Sequence, residues 1–380
     1  MPSKRTFAKR LAALVVTGLG VTEPTDMLNT DPPPDATLGV DADGSRQATT
    51  DAADQNRGGS RDLRSAVANG AYQPAAAAAH SVDTVVTARL DPAVVTTTGL
   101  PSGIATTIRQ ALTRYESLSL GQIQSVAGGG VFTADGPAGC AVAVGDIDAT
   151  ALRRELNADT DVTREPDDGS GFARFKAQSI STAFGVRSDE VVVAHGPTIA
   201  DAVTHRDAGV QSKHSRRTST NTHYGSLPSL LRGDATVCVD LGTDVREQLQ
   251  QILADAPEAL RTAVDASAAV GVGVSIPSDE AASADSHAAT GEETNFDTDA
   301  GATEIALRYG AVADPTRLDR DTAEAVARAA RTGDHPFADA TVSRHGRTVT
   351  IDATTEGDLF ASHASLTGVN IGDRVTLSDP

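Results

Sequence analysis

The chain has 380 residues and a mass of 38.9 kDa, and 32 Lys+Arg against 51 Asp+Glu leave a net charge of −19 and a pI of about 4.8. No run approaches the ~18 apolar residues of a membrane-spanning helix, and two cysteines cannot build a disulfide framework or a Cys-rich zinc module. A chain this acidic also repels bulk nucleic acid, whose affinity for proteins comes mainly from neutralised phosphates.

In chain order, the first segment reads as an address. Ser3-Lys4-Arg5-Thr6-Phe7-Ala8-Lys9 is followed by Arg10 and an apolar stretch from Leu11 to Val21, a charged region ahead of a short apolar one, as in export signals. The string resembles the twin-arginine signal, with Lys4, Arg5 and Phe7 at its defining positions, although Lys4 stands for the first arginine and Ala8 for the usual leucine. The resemblance covers residues 1–21 only. It implies an exported or cell-surface protein, with a cytoplasmic location as the alternative. It allows no membrane span beyond an uncleaved N-terminal segment.

Residues 22–80 read as an acidic, disordered tether. Thr22–Asp62 alone carries nine acids, three arginines and Pro32-Pro33-Pro34, too little apolar surface to offset chain entropy.

From Ser81 the pattern turns to alternating strands and helices. Val82, Thr84, Val86, Ala88 and Leu90 have the period of two of a strand. Ile104, Ile108, Leu112 and Tyr115 have helical spacing. Strands follow near 122–133 and 140–144, with Gly128-Gly129-Gly130 expected as a hairpin turn. Asp148 is placed to cap a helix that buries Leu152 and Leu156. Strands at 172–178, 182–186 and 191–194 and a short helix from Pro197 complete a unit over 81–205.

The second unit, 234–380, has nearly the same order: a strand at Val237, Val239 and Leu241, then a helix through Val245, Leu249 and Ile252 broken by Pro257. Strands near 268–276 and 304–309 follow, and Asp321 and Glu324 suit the start of a further helix. A hairpin closes on His345-Gly346, and Glu356 opens a last helix. Val142, Val144, Gly145, Leu152 and Leu156 sit 97 residues before Val239, Leu241, Gly242, Leu249 and Leu253. The expected fold class is therefore α+β: two tandem, duplicated ferredoxin-like units, each β-α-β-β-α-β-β-α. An acidic insertion at 277–301, with seven acids and no Lys or Arg, reads as disordered.

No sequence motif for a nucleophile, phosphate loop, cofactor or zinc site occurs, so neither a cofactor nor a metal is expected. Asp146 and Asp148, with Asp240 and Asp244, flank equivalent strand ends. An enzymatic alternative, a hydrolase, would need Asp146, His195, Asp240 and His335 to converge in three dimensions. Cys140 and Cys238 are expected on opposite faces of their strands, buried and unbridged. The single departure from acidity is the interdomain linker 206–233, where Arg206, Lys213, Arg216, Arg217 and Arg232 face Asp207 alone, with His205, His214 and His223 nearby. These five cations are the candidate contact for an anionic partner, in one alternative as part of a cytoplasmic regulator.

Arginine makes up 28 of the 32 cations, Asp outnumbers Glu 38 to 13, and tryptophan is absent. So large a net charge is tolerable where salt screens self-repulsion, and at 1 M salt the screening length is about 3 Å. With this composition and N-terminus, the chain resembles exported proteins of salt-loving archaea, bathed in high concentrations of salt ions. The reading that follows is a non-enzymatic, salt-adapted binding or structural protein of the cell envelope, acting on an unknown protein or envelope component.

Overall fold

The computed structural model describes residues 64–101, 109, 112–211, 224–252, 258–276, 304–314, 316–317, 338–356 and 374–375. The expected helices at 321–330 and from Glu356, the signal and the insertion lie outside them.

One antiparallel sheet dominates. Its twelve strands in chain order are β1 (Val82–Leu90), β3 (Ile123–Thr133), β4 (Gly136–Gly145), β5 (Val162–Arg164), β6 (Ala173–Ala177), β7 (Thr182–Val186), β8 (Glu190–His195), β9 (Ala235–Asp240), β10 (Ser267–Ser275), β11 (Glu304–Ala313), β12 (Ala338–His345) and β13 (Thr348–Glu356). Across the sheet they run β12-β13-β11-β10-β9-β1-β3-β4-β8-β7-β6-β5. Two-residue strands β2 (Leu100–Pro101) and β14 (Arg374–Val375) pair separately.

The mixed α/β character expected from sequence is present, but the split β-α-β arrangement of a ferredoxin-like unit is not seen. Within each half the paired strands are antiparallel neighbours. The two halves join edge to edge through β1 and β9, with Val85 opposite Asp240 and Leu90 opposite Ala235. Outward from that seam, β1-β3-β4-β8-β7 on one side matches β9-β10-β11-β13-β12 on the other. The counterpart of β9 is thus β1, not β4 as the 97-residue spacing suggested; that match came from a strand-to-helix turn common to many α/β connections.

Helices cover both faces because strands buried on both sides leave apolar side chains pointing each way. On one face lie α1 (Pro74–Ala77), α4 (Ile199–Val210) and α5 (Leu227–Leu230). On the other lie α2 (Pro92–Thr98), α3 (Ala149–Ala158), α6 (Thr243–Ile252) and α7 (Glu258–Asp265). Asp148 caps α3 as expected, its carboxylate accepting from Thr150 N and Ala151 N. Leu152 and Leu156, each 1% exposed, pack on Phe175, Val186 and Val191, each burial contributing about 1.5–3 kcal/mol. Helix α6 ends at Ile252 and α7 begins at Glu258, and the break expected at Pro257 lies outside the described residues. The N-terminus of α6 is held from β1: Asp83 accepts from Asp244 N and Val245 N.

Three boundaries differ from expectation. Residues 64–80, assigned by sequence to the tether, pack on the sheet, with Ser65, Ala66, Val67 and Tyr72 buried. A similar strap, Tyr224 to Leu231, precedes β9 on the same face and buries Tyr224, Leu227 and Leu231. Helix α4 runs on to Val210 behind a Thr198–Asp201 capping box, so Arg206 belongs to the first half and not to the linker. Finally, Gly128-Gly129-Gly130 lies inside β3, opposite Ala141, Cys140 and Gly139. A Cβ on Gly129 would meet Pro74 at 3.2 Å, so α1 requires a bare backbone there. The turn itself falls at Ala134–Asp135, before Gly136 at φ 131°.

Candidate functional site

The five cations proposed for an anionic partner are not one strip. Arg206 is fully buried. Its guanidinium donates to the carboxylates of Glu165 and Asp207 and to Phe175 O at 3.1 Å. Burial alone would raise the pKa of Glu165, but the Arg206 hydrogen bond and charge more than reverse this and hold the carboxyl below its usual range. Arg206 is therefore removed from the partner-contact set: its role is to close an ion network with Glu165, Asp207, Arg174 and Asp168. Lys213, Arg216, Arg217, His214 and His223 lie outside the described residues. His205 is no linker residue either; it is 1% exposed and its Nδ1 sits 2.6 Å from Tyr72 OH.

Arg232 remains, and the fold gives it a setting. Strap residues Leu231–Gly233 press onto β10 so closely that a Cβ on Gly273 would lie 2.5 Å from Leu231 O. This carries Arg232 to the rim of a trough of about 360 Å³, whose floor and walls include Gly273, Ser275, Ala306, Arg308, Asp352 and Thr354. Arg308 and Asp352 are direct cross-strand partners in β11 and β13. Arg308 engages Asp352 through two hydrogen bonds, the Nη2–Oδ2 one at 3.1 Å, and reaches Leu230 O at 3.3 Å. Asp352 therefore offsets Arg308. Arg232 is exposed and has no acidic partner among the described residues. Among the described residues no ion pair engages Arg232, and beside it stand two hydroxyls, those of Ser275 and Thr354, with the Asp234 carboxylate nearby on Ile276 N at 2.8 Å; this chemistry suits a carboxylate. One exposed charge pair contributes only about 0.2–1 kcal/mol, so this trough can anchor a partner but not hold it alone.

The residues of the hydrolase reading do not converge. His195 at the end of β8 lies opposite Gly139, whereas Asp146 follows the far end of β4, where Val144 faces Glu190. At about 3.4 Å per residue the two are more than ~17 Å apart. Asp240 lies opposite Val85 on β1, four strands from β8, a span of about 19 Å. His335 lies outside the described residues. Burial lowers the His195 pKa, against backbone hydrogen bonds at Ile180 and Ser181 that raise it. Asp148 is occupied in capping, and Asp244 lies exposed in the first turn of α6.

Cys140 and Cys238 are free and buried. They share one transverse row of the sheet, Cys140–Gly129–Thr87–Cys238. Directly opposed residues face the same way, so the thiols lie on one face and not on two. Three strand spacings, about 14 Å, exceed disulfide reach. Burial pushes Cys238 up to about 12 and Cys140 higher still.

Sequence reading missed Arg308, Asp352, Ser275 and Thr354. The only sequence-level signal was Arg308 set between apolar Ile305, Leu307 and Tyr309.

No protein-family model and no curated protein matches the chain. Among solved structures it is similar to three crystal forms of a protein named TP0453. Form III gives a TM-score of 0.40 at 9% identity, over 77% of this chain and 97% of that one. Form I gives 0.39 at 10% over 78% and 98%, and form IV gives 0.36 at 11% over 79% and 99%. Likeness at that level carries no argument about this chain.

Proposed function

We propose that this chain is an exported, salt-adapted, non-enzymatic binding protein of the cell envelope that docks an acidic protein partner, with Arg232 as an anchor for one of its carboxylates. The observation that supports this reading is the trough: an exposed arginine without an ion pair among the described residues, carried by a glycine-dependent strap contact beside the Arg308–Asp352 pair, on a protein of charge −19. At a screening length of about 3 Å in molar salt charges act at contact range, so a local positive site selects a carboxylate that touches it. The matched strand order of the two halves supports their origin as one repeated unit, with a strap, a strand and the meander that follows it in each.

Calorimetric titration of a glutamate-rich peptide into the full chain tests the reading. Arg232→Ala should weaken binding about two- to fivefold, and Arg164→Ala, at the far end of the sheet, should leave it unchanged. Equal binding by Arg232→Ala and the unaltered protein would remove the trough from the account.

A further inference from the structure

The two ends of the twelve-stranded sheet are finished differently. At one end β5 has three residues, and its Arg164 lies 3.8 Å from Asp167, a short, charge-paired edge of the kind that discourages strand addition. At the other end β12 has eight residues and no proline. An irregularity between Ala338 and Thr341 leaves Thr341–His345 as five consecutive residues in regular register with Asp352–Thr348. The outer side of β12 meets no further strand among the described residues.

From Thr341 to Arg347 the charged residues have one sign, while Asp339 stands before this regular stretch. Arg344, His345 and Arg347 are exposed, as are Thr341 and Ser343. Arg344 Nε donates to Gly346 O at 2.9 Å, and none of the three basic side chains meets an acidic one among the described residues. On a chain of net charge −19, the stretch Thr341–Arg347 is locally cationic. Like charges brought together across strands are destabilising, so Arg344 and Arg347 disfavour pairing of two copies through this edge. The same cations favour a strand bearing carboxylates.

We infer that the β12 edge accepts an extended acidic segment of a partner protein by strand addition, with the main chain of Thr341–His345 supplying hydrogen bonds and Arg344 and Arg347 meeting its carboxylates. Main-chain hydrogen bonds supply affinity in this mode and side chains supply selection. Hydrogen bonds between neutral groups are not lost to ionic screening, whereas the steering term is shortened to contact range in molar salt. This inference rests on the reading of the chain as a binder of acidic partners, but it uses the edge and not the trough.

The test is hydrogen exchange on the full chain in molar potassium chloride, with three probe peptides: alternating Val and Asp, the same with Lys for Asp, and the acidic one interrupted by proline. The acidic peptide should slow exchange at Thr341–His345 at least tenfold and bind at least tenfold more tightly than the lysine version. The proline version should give no protection. Arg344→Glu with Arg347→Glu should abolish the difference between acidic and basic peptides, whereas Arg232→Ala should leave protection of β12 intact. Protection of β12 that rises with protein concentration without peptide would show self-pairing and overturn the inference. So would equal protection by acidic and basic peptides, or binding with unchanged exchange at β12. Loss of binding in Arg232→Ala alone would overturn the edge while sparing the trough.

Discussion

Replacing Tyr72 with Phe tests how the leading strap is fastened. Tyr72 is 9% exposed and His205 1%, with the phenol oxygen 2.6 Å from His205 Nδ1. The strap is otherwise held by Ala66 and Val67 against Val142, Val144 and Val192, and by Ser65 N on the buried Glu190 carboxylate at 3.1 Å. Tyr72→Phe keeps the ring and removes the hydrogen bond, leaving a buried imidazole nitrogen without that partner. A lost bond of about 1 kcal/mol plus the penalty of an unsatisfied buried group gives about 2 kcal/mol. Urea unfolding in molar salt at pH 7.5 measures it, and exchange of the Val67 and Tyr72 amides locates it. Stability should also depend on pH. Burial holds His205 below its ordinary 6.5, against a raising influence from Asp201. The neutral imidazole therefore contributes stability that is present above pH 6.5 and lost as pH falls through the folded-state value. Once His205 is protonated its Nδ1–H donates to the Tyr72 phenol oxygen, so the Tyr72→Phe penalty should persist or grow in acid. A change below about 0.5 kcal/mol at pH 7.5, or a penalty that vanishes in acid, would refute the reasoning.

Glu165→Gln leaves the fully buried Arg206 short of a charge partner and should cost about 3 kcal/mol. Because the Glu165 carboxyl is held below its usual range, its contribution is present above about pH 4.5 and should vanish as pH falls through the folded value, as acid titration of unfolding will register. Gly242→Ala would place a Cβ 1.9 Å from Asp83 O. It should shift β1 against α6 at a cost of about 3 kcal/mol, visible in thermal melts. Cys140 and Cys238 should resist a thiol reagent until the protein unfolds, and a reductant should not move the melting temperature; a reductant-dependent melt would contradict the single-row geometry. Dilution to about 0.1 M salt, where the screening length reaches about 10 Å, should cost cooperative structure by circular dichroism; a stable fold without added salt would count against salt adaptation.

Much of the local structure was legible in the sequence because it depends on neighbours in the chain. Asp148 capping a helix, Leu152 and Leu156 facing inward and the hairpin that turns just after His345 all follow from spacing. Pairing across the sheet was not legible. The order β1-β3-β4-β8 rather than an interleaved one, and the seam between β1 and β9, are decided by which strands meet, and periodicity is silent on that. Gly128-Gly129-Gly130 looked like a turn because its real constraint, the close approach of Pro74 to Gly129, comes from 55 residues upstream. Arg206 looked like a linker cation because the helix carrying it shows little amphipathic contrast, and its acidic partner Glu165 lies 41 residues away. Of the candidate site, only Arg232 was visible. The residues around it come from β10, β11 and β13 and become neighbours only once the register is known.

Photo-crosslinking in intact cells tests the central claim most directly, with the probe placed at Thr354 in the trough or, as a control, at the exposed Thr160. The account predicts an adduct from Thr354 with an acidic protein, recovered with the envelope, reduced by Arg232→Ala and absent from Thr160. The same adducts from both positions, or adducts confined to the cytoplasm with the N-terminal segment intact, would contradict it.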